Sequence, residues 1–233
     1  AISQIASATA FEKVQNPEHA FEAGYVLGHF HRMVSDLPCD QLRYALPGFH
    51  VTPGYLAKLD AAVATPEGQE RVQTSPDAKR ALRFVEERRG RCSVLENALK
   101  SGELQLRTTH GDPKVGNIMI DTATGRGTCI VDLDTVQPGL VHYDIGDATR
   151  SACNPAGEDA PDLASVIFDL DLFTAIYRGY RAHAKDFLSP AELKFLYDCI
   201  HLIPLELGIR FLADHVAGDV YFKVRYPGHN LRR

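Results

Sequence analysis

The chain has 233 residues, with 25 Lys and Arg against 30 Asp and Glu, a formal charge of −5. Its 45% hydrophobic and 24% charged content excludes a disordered or fibrous chain, and at this length about 70% of the unfolded surface can be buried without staples. The mild acidity excludes a general polyanion binder, so no nucleic-acid partner is expected, and the run Glu86-Glu87-Arg88-Arg89-Gly90-Arg91 reads as a solvated helix face balanced by its own carboxylates.

Asn16 before Pro17 and Glu18 is a helix start: the Asn side chain caps a free N–H, and proline lacks the N–H that would go unpaired there. Apolar residues then recur at helical spacing to about Ser35. Pro38, Pro47, Gly48, Pro53 and Gly54 break the next stretch, leaving at most a short helix over 55–63. Ser75-Pro76-Asp77 opens a second long helix that is expected to end near Gly102. Short β-like runs follow at 104–109, 118–120 and 128–133, and the Asp/Thr/Gly-rich stretch 121–127 is expected to turn the last two into a hairpin. After Asp144 the pattern is helical again: a polar loop over 153–162, a helix over 166–182, and a capping box at Ser189-Pro190-Ala191-Glu192. That box should open a long helix towards Ala217, with Pro204 as a kink.

The five cysteines are odd in number and widely spaced, which gives neither a disulfide framework nor a zinc site. No apolar run approaches the roughly 20 residues that span a bilayer, and no signal pattern opens the chain, so a cytoplasmic protein without a membrane partner is expected. His29 and His31 diverge on a helix and are read as core or surface residues, not a metal pair. The thiols are read as inert, and Phe187, Phe195, Phe211 and Phe222 as core.

The chemistry concentrates in His110-Gly111-Asp112-Pro113-Lys114-Val115-Gly116-Asn117 and in Ile130-Val131-Asp132-Leu133-Asp134. Phosphoryl transfer needs a carboxylate at the acceptor hydroxyl, oxygen ligands for Mg²⁺ and positive charge at the migrating group. Asp112 can take the hydroxyl proton, Asn117 and Asp132 can hold the metal, and Lys114 can neutralise the phosphoryl. The hairpin would bring these residues together, since one strand leaves the loop and the other returns to it.

These strings resemble the catalytic and metal-binding loops of the aminoglycoside phosphotransferase and choline kinase superfamily, relatives of the protein kinases. IVDLDTVQPGLVHYDIGDATR and the later LELGIRFLADHVAGDVYF are most similar to the N-acetylhexosamine 1-kinase group. The resemblance implies an α+β, mainly helical fold, the C-terminal lobe of a protein-kinase-like fold with a small β-hairpin carrying the active-site loops. One such lobe would span 1–233, with a helical subregion (1–103), the catalytic and metal-binding hairpin (104–137) and a helical substrate subregion (138–233). It implies ATP and Mg²⁺ as cofactors and a sugar or amino alcohol as acceptor, phosphorylated at the anomeric hydroxyl if an N-acetylhexosamine. Asp112 becomes the base, Asn117 and Asp132 the metal ligands, Asp144 a loop-organising carboxylate, and Arg210 and Tyr221 the sugar contacts. His110 is read as a packing and hydrogen-bonding residue that sets the loop. No Gly-rich phosphate loop precedes residue 110, so the nucleotide lobe of that family is expected to be missing from this chain.

Two rival readings stand beside this one. Asp132-Leu133-Asp134-Thr135-Val136 also fits the strand-end pattern of haloacid-dehalogenase-type phosphatases, with Asp132 as nucleophile and Asp134 as acid, which predicts a doubly wound parallel sheet. The other is a non-catalytic binding lobe that keeps the motifs. Asp144 and Asp147 are read as helix N-terminal carboxylates that cap backbone N–H groups.

Overall fold

The computed structural model describes residues 5, 7–160 and 162–233. A two-residue strand, β1 (Ala8–Thr9), precedes helix α1 (Pro17–Met33), whose Asn16 side chain accepts the His19 N–H at 2.8 Å as its cap. Helix α2 (Thr52–Val63) starts earlier than expected, because Pro53 lies in its first turn, where a proline needs no hydrogen bond. Helix α3 (Pro66–Thr74), capped by Thr65, was not anticipated, since its polar sequence carries almost no apolar stripe.

The single long helix expected up to Gly102 is two, α4 (Pro76–Glu86) and α5 (Val94–Ser101), parted by a tight turn at Arg89–Arg91. Gly90 weakens the helix there, and Arg89 is instead committed to a fork with Asp60 at 2.7 Å and Glu86 at 2.5 Å. Strand β2 (Arg107–Thr109) is followed by β3 (Ile118–Asp121) and β4 (Gly127–Ile130). The last two form the expected antiparallel hairpin with Ile118 opposite Ile130, and β1 lies on the other edge of β3. The β4 run stops short of Leu133 because Asp132 turns the chain with φ +66°. An unanticipated strand, β5 (Gln137–Gly139), pairs antiparallel with β2.

Helix α6 (Val141–Ala152) already contains Asp144, α7 (Leu170–Ala184) follows the polar loop, and the Ser189 capping box opens only the short α8 (Pro190–Lys194). Phe195 separates it from α9 (Leu196–Ala217), which carries Pro204 in its interior without ending there. A closing turn, α10 (His229–Arg232), ends the chain.

Both sheets are antiparallel, so the parallel sheet that the phosphatase reading requires is absent among the described residues. The mainly helical α+β fold is the one expected. Helices α1 and α7 pack backbone to backbone through Gly24, Gly28 and Gly179: a Cβ on Gly24 would fall on the Ile176 carbonyl, and one on Gly179 on that of Phe21. Helix α9 threads two apolar clusters, Ile203 packing with Leu27, Leu95 and Leu140, and Ile209 with Leu59 and Val85. Each such fully buried side chain contributes about 1.5–3 kcal/mol. Together they fix α9 against α2 and α6, which frames the site. The cysteines are free, and burial pushes the Cys153 thiol up to about 12, out of the reactive range. No helix among the described residues is long and apolar enough to cross a membrane.

Candidate active site

The loop from His110 to Asn117 leaves β2 and enters β3. Gly111 lies at φ +89°, and a Cβ there would sit 2.7 Å from the Thr135 carbonyl oxygen, so only glycine fits both the dihedral and the space. Two buried carboxylate–histidine pairs grip its peptide groups. On one side Asp144, fully buried, accepts the His110 N–H at 2.6 Å and the Gly111 N–H at 2.9 Å, while His31 Nε2 lies 2.8 Å from the same carboxylate. On the other side His50 Nε2–H donates to the Gly111 carbonyl at 3.1 Å, and Nδ1 donates to Glu206 at 2.9 Å.

The charge states follow from these partners. Burial disfavours the Asp144 carboxylate, but His31 and the His110 N–H outweigh it and hold its pKa below the ordinary carboxylate value. Burial likewise disfavours a charged His50, yet Glu206, Asp147 and the Gly111 carbonyl hold its pKa above the usual imidazole value. Both His50 nitrogens face acceptors, so both must donate, and the ring is an imidazolium. Thr52 completes this cluster by donating to Glu206 at 2.9 Å.

His110 has both ring nitrogens in hydrogen bonds to backbone. Its Nε2–H donates to the Val131 carbonyl at 3.0 Å and its Nδ1 accepts the Asp112 N–H at 3.3 Å, which ties the loop to the end of β4. Asp144 is turned to the loop, accepting from the backbone of residues 110 and 111. It does not cap its own helix, because both carboxylate oxygens are turned to residues 110 and 111. Asp147 is no cap either: it is buried and pairs with Arg150 at 2.8 Å.

Asp112 and Lys114 meet at 2.5 Å in a half-exposed pair, and the Asn117 amide donates to the Asp112 carbonyl at 2.7 Å and to the same carboxylate oxygen at 3.3 Å. That engages Oδ2 and leaves Oδ1 for a hydroxyl. Burial works against the Lys114 charge, but Asp112, with the fields of Asp132 and Asp147, raises its pKa above the ordinary lysine value. The Val131 N–H donates to the Asn117 carbonyl at 2.9 Å, so Asn117 and Asp132 lie at the same end of the hairpin. The side-chain nitrogen of Asn117 is spent on Asp112, which leaves its side-chain Oδ1 as an acceptor, and Asp132 is exposed in a left-handed conformation. One carboxylate and one carboxamide oxygen fit Mg²⁺, which takes few protein ligands and completes its shell with water and phosphate oxygens.

A cleft of about 500 Å³ opens from Asp112 and Lys114 and is walled by His50, Glu206, Arg210, Tyr221 and Phe222. Arg210 and Tyr221 therefore share one cavity with Asp112. The Arg210 guanidinium lies 5.0 Å from the Tyr55 ring centre, 5.5 Å from that of Phe49 and 5.6 Å from that of Phe222. Phe222 thus forms part of the cleft wall and is not a core residue as expected, whereas Phe211 is buried and Phe187 and Phe195 pack on the main cluster. His29, exposed, lies against His183 with ring centres 5.1 Å apart, and His31, two residues on, is the one that reaches the site.

Asp134 is exposed on the turn after Asp132, so the pair is not the strand-end dyad that the phosphatase reading needs, and that reading is set aside. His50, Thr52 and Glu206 went unnoticed in the sequence. Glu206, a lone carboxylate inside the apolar run Leu202 to Ile209, carried the one signal that could have found them.

A solved aminoglycoside-3'-phosphotransferase of type VIII is 18% identical to this chain, with a TM-score of 0.44 over 83% of it. This chain spans 65% of that protein's length. The sequence matches the phosphotransferase enzyme family over residues 4–183, most of its length, and the chain belongs to that family.

Proposed function

We propose that this chain carries the catalytic loop and acceptor cleft of a Mg²⁺-ATP-dependent kinase for a small-molecule hydroxyl, the anomeric hydroxyl of an N-acetylhexosamine being the acceptor. The observation that carries the reading is the position of Asp112 between the Asn117–Asp132 end of the hairpin and the cleft walled by Arg210 and Tyr221. Mg²⁺, when bound by Asn117 and Asp132, supplies charge neutralisation for the triphosphate.

The chain's own residues do the rest. Asp112 Oδ1 accepts the hydroxyl proton as the oxygen attacks the γ-phosphorus and the bond to the β,γ-bridging oxygen breaks to release ADP, and Lys114 offsets charge on the phosphoryl group. Arg210 donates to acceptor oxygens, and the Tyr221 ring covers an apolar sugar face. The clamped peptide groups around Gly111 keep the base in place, so little reorganisation accompanies transfer.

The test is ADP release by the full-length protein with Mg²⁺-ATP across N-acetylhexosamines, hexoses, aminoglycosides and amino alcohols. An N-acetylhexosamine with a free anomeric hydroxyl is expected to support turnover and its methyl glycoside is not. Turnover only with another acceptor class would replace the sugar assignment. No turnover with any acceptor would put the non-catalytic binding lobe in its place.

A further inference from the structure

Glu206, Arg210 and Asp214 follow one another at intervals of four residues on α9 and so share one face of the helix. The outer two are carboxylates only 1% and 6% exposed, and each holds a different piece of the cleft. Glu206 reaches the base loop through His50 and the Gly111 carbonyl. Asp214 holds the segment that follows α9. Its Oδ1 accepts the Val220 and Tyr221 N–H groups at 2.9 and 2.8 Å, and its Oδ2 accepts the Phe222 N–H at 3.0 Å and the Asn230 amide at 2.9 Å.

That segment has no helix or strand between Gly218 and His229 to satisfy its N–H groups. Gly218 and Asp219, at φ +109° and +57°, turn the chain back over the helix, and Asn230 ties Asp219 to Asp214. Tyr221, 76% exposed, and Phe222 thereby reach the cleft beside Arg210. Three backbone donors converging on one carboxylate set the direction of this wall.

We propose that Glu206 and Asp214 are a pair of positioning residues, set eight apart on one rigid helix, that fix the base loop and the acceptor wall separately. Asp214 governs how tightly the acceptor is held, and Glu206 governs how Asp112 is presented to it. Asn at position 214 would put an NH₂ group against N–H donors, and the wall would loosen while the base loop stays clamped.

The test compares Asp214→Asn and Glu206→Gln with the unaltered full-length protein by amide hydrogen exchange, with Asn230→Ala as a milder second variant. Asp214→Asn is expected to speed exchange at 220–222 by about tenfold and leave 110–112 unchanged, Glu206→Gln to speed exchange at Asp112, whose N–H shares a peptide group with the Gly111 carbonyl held by His50, and leave 220–222 unchanged, and Asn230→Ala to follow Asp214→Asn more weakly. The kinetic arm rests on the kinase reading above. With ATP and the best N-acetylhexosamine, Asp214→Asn should raise the acceptor KM about tenfold with kcat nearly unchanged, and Glu206→Gln should lower kcat with KM nearly unchanged. Exchange that rises alike in both segments, or equal effects of the two variants on KM and kcat, would overturn the proposal. An absence of turnover in the unaltered protein would sink the kinase reading alone, because the exchange result still decides whether the two carboxylates act separately.

Discussion

The loop at Asp112 and the wall at 219–222 line the same cleft but are held in opposite ways. The peptide groups around Gly111 are gripped from both sides by buried carboxylate–histidine pairs, His31 with Asp144 and His50 with Glu206, and every one of these four side chains is less than a tenth exposed. The wall at 219–222 hangs from Asp214 and ends in a largely exposed Tyr221. A buried charge whose partner is removed is costly, so the base loop tolerates almost no change, whereas an exposed aromatic on an irregular segment can be exchanged cheaply. The fold thus holds the loop at Asp112 firmly and leaves latitude to the wall at 219–222.

That contrast is open to attack first at Asp144. Asp144→Asn leaves one of two buried N–H donors unpaired and removes the carboxylate that His31 Nε2 meets at 2.8 Å, at an expected cost of about 4–5 kcal/mol in denaturant unfolding. A loss below about 1 kcal/mol would show that the grip on the loop is not real.

His50→Gln is the next largest. It keeps one donor but ends the ion pair, and should cost about 3 kcal/mol near neutral pH. The pH dependence sharpens the prediction. His50 has a raised pKa in the folded protein, so its contribution is complete below the unfolded value of about 6.5 and is lost as pH climbs through the folded value. Asp144, with a lowered pKa, contributes above the unfolded value of about 4 and is lost as pH falls through the folded one. The unaltered protein should therefore lose stability on the alkaline side from about pH 6.5 upward, and His50→Gln should flatten that limb without touching the acid one. Thermal unfolding across pH reads both limbs, and an unchanged alkaline limb in the variant would refute the charge assigned to His50.

The same contrast explains what the sequence could disclose. HGDPKVGN and IVDLD are contiguous strings whose residue types state their chemistry, and the turn between them made the hairpin legible. The grip on Gly111 was not legible, because His50 and Glu206 lie 156 residues apart and neither sits in a motif. Strands β1 and β5 were missed because two or three residues, one of them Pro138, carry no alternation to read. The break between α4 and α5 was hidden because Arg/Glu-rich sequence suits a helix on either side of Gly90, and only the Arg89 fork to Asp60 reveals the turn. Local pattern marked the candidate reacting groups, and long-range burial decided how their loop is held.

The most direct measurement of the central claim is phosphoryl transfer by Asp112→Asn in the full-length protein, with the acceptor that the turnover screen identifies. Loss of a positioned base should lower kcat by about 10²–10⁴-fold while nucleotide affinity and the unfolding midpoint stay near those of the unaltered protein. Turnover within about threefold of the unaltered protein would contradict the assignment of Asp112 as the base and, with it, the reading of the cleft as the acceptor site.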